Sequence, residues 1–169
     1  MMTLLDVTSF YRELNNRGIE IWIDGGWGVD ALLGKQTRQH NDLDIFIQEK
    51  DVSSLLNWCK SKGYREIKLE MARPFNFVYG DDAGHEVDVH VIVFNNEGNI
   101  SYGEGDKREI FPAAALGGTG AINDLAVKCT SPEWIVKWHS GYKPPEQHYQ
   151  DIKAVCREFS IKLPEEYRR

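Results

Sequence analysis

The sequence predicts an α+β fold, a mixed β-sheet with flanking helices and a short C-terminal helical part. Three observations carry that expectation. Apolar residues recur at helical spacing at both ends of the chain; the middle alternates with period two; and the opening runs strand, glycine turn, helix, strand. A chain of 169 residues, 41% hydrophobic and 27% charged, matches one compact globular domain.

Leu4, Leu5, Val7, Phe10, Tyr11 and Leu14 line one helical face, and Gly18 supplies a stop. Ile19 to Ile23 is β-branched and aromatic and ends at Asp24-Gly25-Gly26, which reads as a strand feeding a tight turn. A short helix then carries Trp27, Val29, Ala31, Leu32 and Leu33, and Gly34 closes it. Asp42 to Ile47 alternates as a second strand, and Asp51-Val52-Ser53-Ser54 opens a helix running to Gly63. Arg65 to Glu70, Pro74 to Tyr79 and Glu86 to Phe94 are extended, with turns at 81–84 and 95–98. Residues 103–124, rich in Gly and Ala around Gly117-Gly118-Thr119-Gly120, are expected to form a loop. Ser131-Pro132-Glu133 starts a helix that Gly141 ends, and another runs from about Glu146 to Phe159. Trp134, Trp138 and Val155 suit a core stripe. The expected division is 1–125 for the sheet-bearing unit and 126–169 for a helical segment packed on it.

A net charge of -6 leaves no broad basic face for a nucleic-acid backbone, whereas cationic small molecules remain acceptable. The first residues lack a basic start followed by an apolar stretch, and no window is long and apolar enough for a bilayer, so the expectation is a soluble cytoplasmic protein. Cys59, Cys129 and Cys156 are odd in number and far apart, which argues for buried apolar roles rather than disulfides or a zinc site.

Chemistry concentrates in a few places. Asp42 and Asp44, two apart on a strand, point to one face and repel unless a cation lies between them; Mg²⁺ is the natural occupant, because it takes carboxylates together with substrate phosphates. The bland alternative is a polar strand face, although Asp is depleted in strands. The Asp24-Gly25-Gly26 turn before a helix start offers backbone N–H groups to phosphate, and taken alone it is an ordinary turn. Glu86, Asp88 and His90 share a face, so Asp88 can join the metal set or take the proton of an attacking hydroxyl. His90 is equally readable as ligand, proton acceptor or structural partner. Arg38 and His40, just before the acid pair, can neutralise a triphosphate or hold a carboxylate; Lys35 reads better as a solvated charge.

Together the glycine pair, the D-h-D strand and the later acid resemble the DNA polymerase β-like nucleotidyltransferase superfamily. The segments DGGWGVDALLGKQTRQHNDLDI, EVDVHVI and WHSGYKPPEQHYQDIKAV are similar to the small lincosamide nucleotidyltransferases and the aminoglycoside 2''-O-nucleotidyltransferases over nearly the whole chain. The resemblance implies a nucleotidyltransferase fold, with Asp42 and Asp44 holding Mg²⁺ and the triphosphate, Asp88 completing the acidic set, and Gly25 and Gly26 approaching the phosphates. His90 falls in the D-x-H pattern of the lincosamide branch. Gly26 stands where many members have serine, and His139, Tyr142, His148 and Asp151 match the families' shared ending. Residues 117–120 and the tail 163–167 look more like the aminoglycoside-type relatives. The implied activity moves a nucleoside monophosphate, AMP first, from ATP or another NTP to a hydroxyl of a small-molecule antibiotic, with Asp42, Asp44, Asp88 and His90 catalytic and Gly25, Gly26, Arg38 and His40 contacting the nucleotide. A homodimer is suggested by the resemblance alone. Two rivals stand beside this reading. A metal-dependent phosphoesterase explains the acids but leaves the glycine turn idle, and a silent nucleotide-binding module would be expected to lose one of the three acids.

Overall fold

In the computed structural model, which describes residues 1–70 and 72–168, the first helix α1 (Leu4–Asn15) begins where the periodicity places it. Thr3 caps it: the Thr3 side chain takes the Asp6 N–H and the Asp6 carboxylate takes the Thr3 N–H, a reciprocal capping box. Strand β1 (Ile21–Ile23), helix α2 (Gly25–Leu33), strand β2 (Asp42–Gln48) and helix α3 (Glu49–Ser61) follow, and Gly34 ends α2 in the left-handed conformation.

Strands β3 (Arg65–Ile67), β4 (Asn76–Gly80) and β5 (Glu86–Phe94) are the three extended segments, two of them shorter than or displaced from the expected limits. The remaining strands are β6 (Asn99–Tyr102), β7 (Glu109–Pro112), β8 (Gly118–Ile122) and β9 (Leu125–Cys129). Helices α4 (Pro132–Trp138) and α5 (Glu146–Glu158) lead to a tail that ends in a 3-10 turn at Glu165–Tyr167. The expected loop over 103–124 is therefore corrected. It holds two 3-10 turns, at Gly105–Lys107 and Ala113–Leu116, with β7 and β8, and β8 turns into β9 through Asn123 and Asp124, both at positive φ (47° and 61°), as a two-residue hairpin requires. Glycine in β8 concealed a strand because it is there for packing: a Cβ at Gly120 would collide with the Ala31 carbonyl of α2.

The strands form one sheet in the order β3-β4-β5-β2-β1-β9-β8. β4 and β6 share the second edge of β5, and β7 extends β6. The β2–β5 and β1–β9 pairs are parallel and the others antiparallel, which makes the sheet mixed. One face carries Leu43, Ile45, Ile47, Val87 and Val89 into the main core beneath α1 and α3. On the other face Trp22, Phe46 and Ile92 pack with Phe111, Leu116 and the half-buried Trp134 and Trp138 of α4. Val155 belongs to a third cluster, with Ile135, Ile152 and Tyr167, that joins α2, α4, α5 and the tail. The three cysteines are buried free thiols, and burial pushes those of Cys59 and Cys129 up to about 12. Among the described residues no helix is long and apolar enough to cross a membrane.

Candidate active site

Parallel pairing of β2 with β5 places Asp42 opposite Glu86, Asp44 opposite Asp88 and Phe46 opposite His90. Because side chains alternate, all six project to one side of the sheet. Donor atoms of Asp44, Asp88 and His90 lie within 4.8 Å of one another, and His90 Nε2 is 3.9 Å from a carboxylate oxygen of each acid. Asp42 lies one step along the same face at the solvent end of β2.

Burial and mutual repulsion set the electrostatics of this group. Burial raises the pKa of Asp42, and Asp44 and Glu86 add to the rise. Burial also raises Asp88, with Asp44 and Asp42 adding to it against His90 and an Asn76 hydrogen bond. For His90 desolvation works downward, yet the surrounding Asp44, Asp88 and Asp24 carry its pKa above the ordinary value. Carboxylate oxygens with one imidazole, partly open to solvent, are a donor set suited to a hard divalent cation such as Mg²⁺.

Asn76 fixes the Asp88 end. It pairs with His90 across β4–β5, donates from Nδ2 to Asp88 Oδ1 at 2.8 Å and lies 3.1 Å from His90 Nδ1. Tyr102 Oη is hydrogen-bonded to the same ring nitrogen at 3.0 Å, and burial, then Asp88, pushes the phenol up to about 12.

The glycine turn closes the other side. Asp24 N–H bonds the Asp44 carbonyl, and the helical ladder starts only at Gly28 N–H to the Asp24 carbonyl. That leaves the N–H groups of Gly25, Gly26 and Trp27 ahead of the ladder at the positive end of α2. Gly25 has φ +57°, and a Cβ there would collide with Asp44 Oδ2. A Cβ at Gly26 would collide with the His40 ring and come within 2.8 Å of Arg38 Nη2. The serine expected at this position from the wider superfamily is thus excluded by the two basic side chains packed against it.

Those two side chains are anchored from opposite directions. His40 is 3% exposed and its Nε2 lies 2.5 Å from Asp30 Oδ2, while Asp30 Oδ1 accepts the Thr37 N–H and hydroxyl. Arg38 reaches Asp151 of α5 through Nε and Nη2. Lys35 is exposed. A cleft of about 410 Å³ runs between these groups, lined by Asp24, Gly25, Gly26, Arg38, His40, Asp42, Asp44, His139, His148 and Asp151 among others.

Four of these were not singled out as site residues from the sequence: Asp151, Asp24, His139 and His148. Asp24 brings a further carboxyl beside Asp44; its Oδ1 is buried without a hydrogen-bond partner, and burial, then Asp44, raises its pKa. His139 donates from Nδ1 to the Ile135 carbonyl, which leaves Nε2 toward His148, whose ring centre is 4.7 Å away. Burial, then His139, lowers the His148 pKa below its ordinary value, and its Nδ1 is buried with no hydrogen-bond partner among the described residues. The only signal available for Asp24 was its place next to the glycines; the histidines had only their match to the families' shared ending.

The family described as aminoglycoside-2''-adenylyltransferase matches residues 6–155. A lincosamide resistance protein of Staphylococcus haemolyticus is 30% identical over 138 residues, 81% of this chain and 84% of that protein. A 2''-aminoglycoside nucleotidyltransferase of Escherichia coli is 48% identical over 47 residues, 26% of this chain and 27% of its own length. Among solved structures, the lincomycin-bound lincosamide antibiotic adenylyltransferase LnuA superposes with a TM-score of 0.82 at 26% identity, covering 95% of this chain and 99% of that one.

Proposed function

This chain belongs to the aminoglycoside-2''-adenylyltransferase family, and on that premise we propose that it transfers a nucleoside monophosphate, AMP in the first instance, from an NTP to a hydroxyl of an antibiotic, a lincosamide before an aminoglycoside. The observation that carries the reading is the meeting of Asp44, Asp88 and His90 beside the unladdered N–H groups of the Gly25-Gly26 turn. Phosphoryl-type transfer asks for this pairing of an acid cluster with an anion-binding helix end. A simple phosphoesterase has no use for the second part. The lincosamide preference follows the aligned sequence, 138 residues with the lincosamide resistance protein against 47 with the aminoglycoside enzyme, and the higher TM-score of the lincosamide enzyme, 0.82 against 0.73 for an aminoglycoside one.

Asp42, Asp44 and Asp88 would hold a divalent cation, Mg²⁺ by its preference for carboxylate and phosphate oxygens. When bound, it supplies charge neutralisation for the triphosphate and Lewis acidity at phosphorus. The chain's own groups do the rest. N–H groups of Gly25 and Gly26 and the positive end of α2 bind phosphate oxygens. Asn76 donates to Asp88 Oδ1 and orients the carboxylate, one oxygen of which stays free of the cation to accept the proton of the acceptor hydroxyl. The hydroxyl oxygen then forms its bond to the α-phosphorus as the α–β bridge bond breaks, and pyrophosphate departs with that electron pair. His90, hydrogen-bonded to Tyr102, sits 3.9 Å from both the Asp44 and Asp88 carboxylates and offsets their mutual repulsion when protonated.

The test is a panel incubation of the protein with Mg²⁺, labelled ATP and lincomycin, clindamycin, kanamycin or gentamicin, read by mass spectrometry. The expected product is an antibiotic heavier by one adenylyl group. Asp42→Asn and Asp88→Asn are expected to lower turnover by at least ~10³-fold with the circular dichroism spectrum unchanged. Full activity in either variant rejects the roles given to these acids, and phosphate release from simple esters without adenylyl transfer favours the phosphoesterase.

A further inference from the structure

We infer that Asp151, on the C-terminal helix α5, is a positioning residue for nucleotide: it aims the Arg38 guanidinium at the phosphate-binding turn. The inference rests on the reading above, in which that turn receives the triphosphate.

The pair has unequal members. The Asp151 side chain is 6% exposed and that of Arg38 is 29% exposed, and both line the cleft. Asp151 takes Nε–H and one Nη2–H of Arg38, and the Gln39 carbonyl takes one Nη1–H. Of five guanidinium donors, two remain, one on each terminal nitrogen. Nη2 lies 2.8 Å from the point where a Cβ of Gly26 would stand, so the group rests against the first turn of α2.

A cation at the positive end of a helix is electrostatically misplaced. The first turn of α2 carries no acid and Asp24 makes no side-chain cap, so the acids beside this helix end, Asp151 on Arg38 and Asp44 against Gly25, come from other elements. An oxyanion arriving there satisfies the exposed N–H groups and the two spare guanidinium donors together, in the forked geometry that arginine offers to phosphate. The pair is also not needed to hold its own loop. Asp30 already secures the segment by binding Thr37 twice and His40 once. What Asp151 adds is the direction of the guanidinium, supplied from a different part of the chain.

The experiment is calorimetric titration of the full-length protein with Mg²⁺ and α,β-methylene-ATP, inorganic tripolyphosphate, or adenosine, using wild type, Asp151→Asn, Arg38→Ala, the double variant and Asp151→Glu. Asp151→Asn and Arg38→Ala are each expected to weaken the two triphosphate probes by about tenfold or more while adenosine binding holds, as loss of a charge-assisted contact predicts. The double variant should be no weaker than Arg38→Ala, because both act through one group. Asp151→Glu should recover part of the loss, and in turnover assays KM for the NTP should rise while KM for the acceptor stays constant. Wild-type triphosphate affinity in Asp151→Asn, or equal losses for tripolyphosphate and adenosine, overturns the inference and leaves the proposed function standing. A wild type that binds neither triphosphate probe overturns the proposed function as well. Should Asp151→Asn fail to fold, Arg38→Ala carries the test, and unchanged triphosphate affinity in it overturns the inference.

Discussion

Asp42 shows how one side chain trades stability for chemistry. Asp24, Asp42, Asp88 and His90 all have pKa values raised in the fold, so each binds its proton more tightly folded than unfolded. Their contributions are therefore fullest at low pH and are lost as pH rises, for the acids upward from the ordinary 3.8 through their raised values and for His90 upward from 6.5. Replacing Asp42 by Asn removes one of these charges along with its repulsion of Asp44. In EDTA, Asp42→Asn should melt above the wild type, and the gain should widen as pH rises above 3.8 and then level off once Asp42 is fully ionised. Millimolar Mg²⁺ should raise the wild-type Tm and leave that of Asp42→Asn nearly still. A gain that narrows with pH, seen by calorimetry, would mean that Asp42 is stabilised by its surroundings rather than strained by them.

At the scale of elements, α2 packs against its neighbours through glycines. Gly25 faces Asp44, Gly26 faces His40 and Arg38, and Gly120 of β8 faces the Ala31 carbonyl. Gly25→Ala combines a positive φ with the Asp44 collision and should cost about 1–3 kcal/mol, with adenylyl transfer falling further than the stability does. Gly120→Ala pushes β8 from α2 at a point remote from the acids. It should lower Tm by several degrees, on a cost of about 1–3 kcal/mol, and leave KM for the NTP in place. Comparable losses of nucleotide affinity in both variants would show that α2 moves as a unit, and that the Gly25 position holds no local role.

For the molecule as a whole, the cleft is assembled from distant parts of the chain. β1 and α2 give Asp24 and the glycine turn, β2 and β5 the acids, β4 and β6 the partners of His90, and α4 and α5 its far wall of His139, His148 and Asp151. The tail clamps that wall: Tyr167 is fully buried and its hydroxyl donates to the His139 carbonyl, while Glu166 accepts the Gly141 N–H. Tyr167→Phe should cost about 1 kcal/mol and loosen His139 without unfolding the sheet, which hydrogen exchange at residues 138–142 would report. The α+β class, both terminal helical regions, and the candidates Asp42, Asp44, Asp88, His90, Gly25 and Gly26 were legible from the sequence. Periodicity and the preference of carboxylates for one strand face are local properties that side-chain chemistry alone dictates. The hairpin of β8 and β9 was not legible, because its glycines answer to the carbonyl of a helix some 90 positions earlier, Ala31 against Gly120. Nor were the register that sets Asp44 against Asp88, the entry of Asp24 into the acid cluster, and the reach of Asp151 to Arg38 across 113 positions. Pairings over such separations are chosen by how the sheet and helices close on one another, and only the tertiary structure decides them.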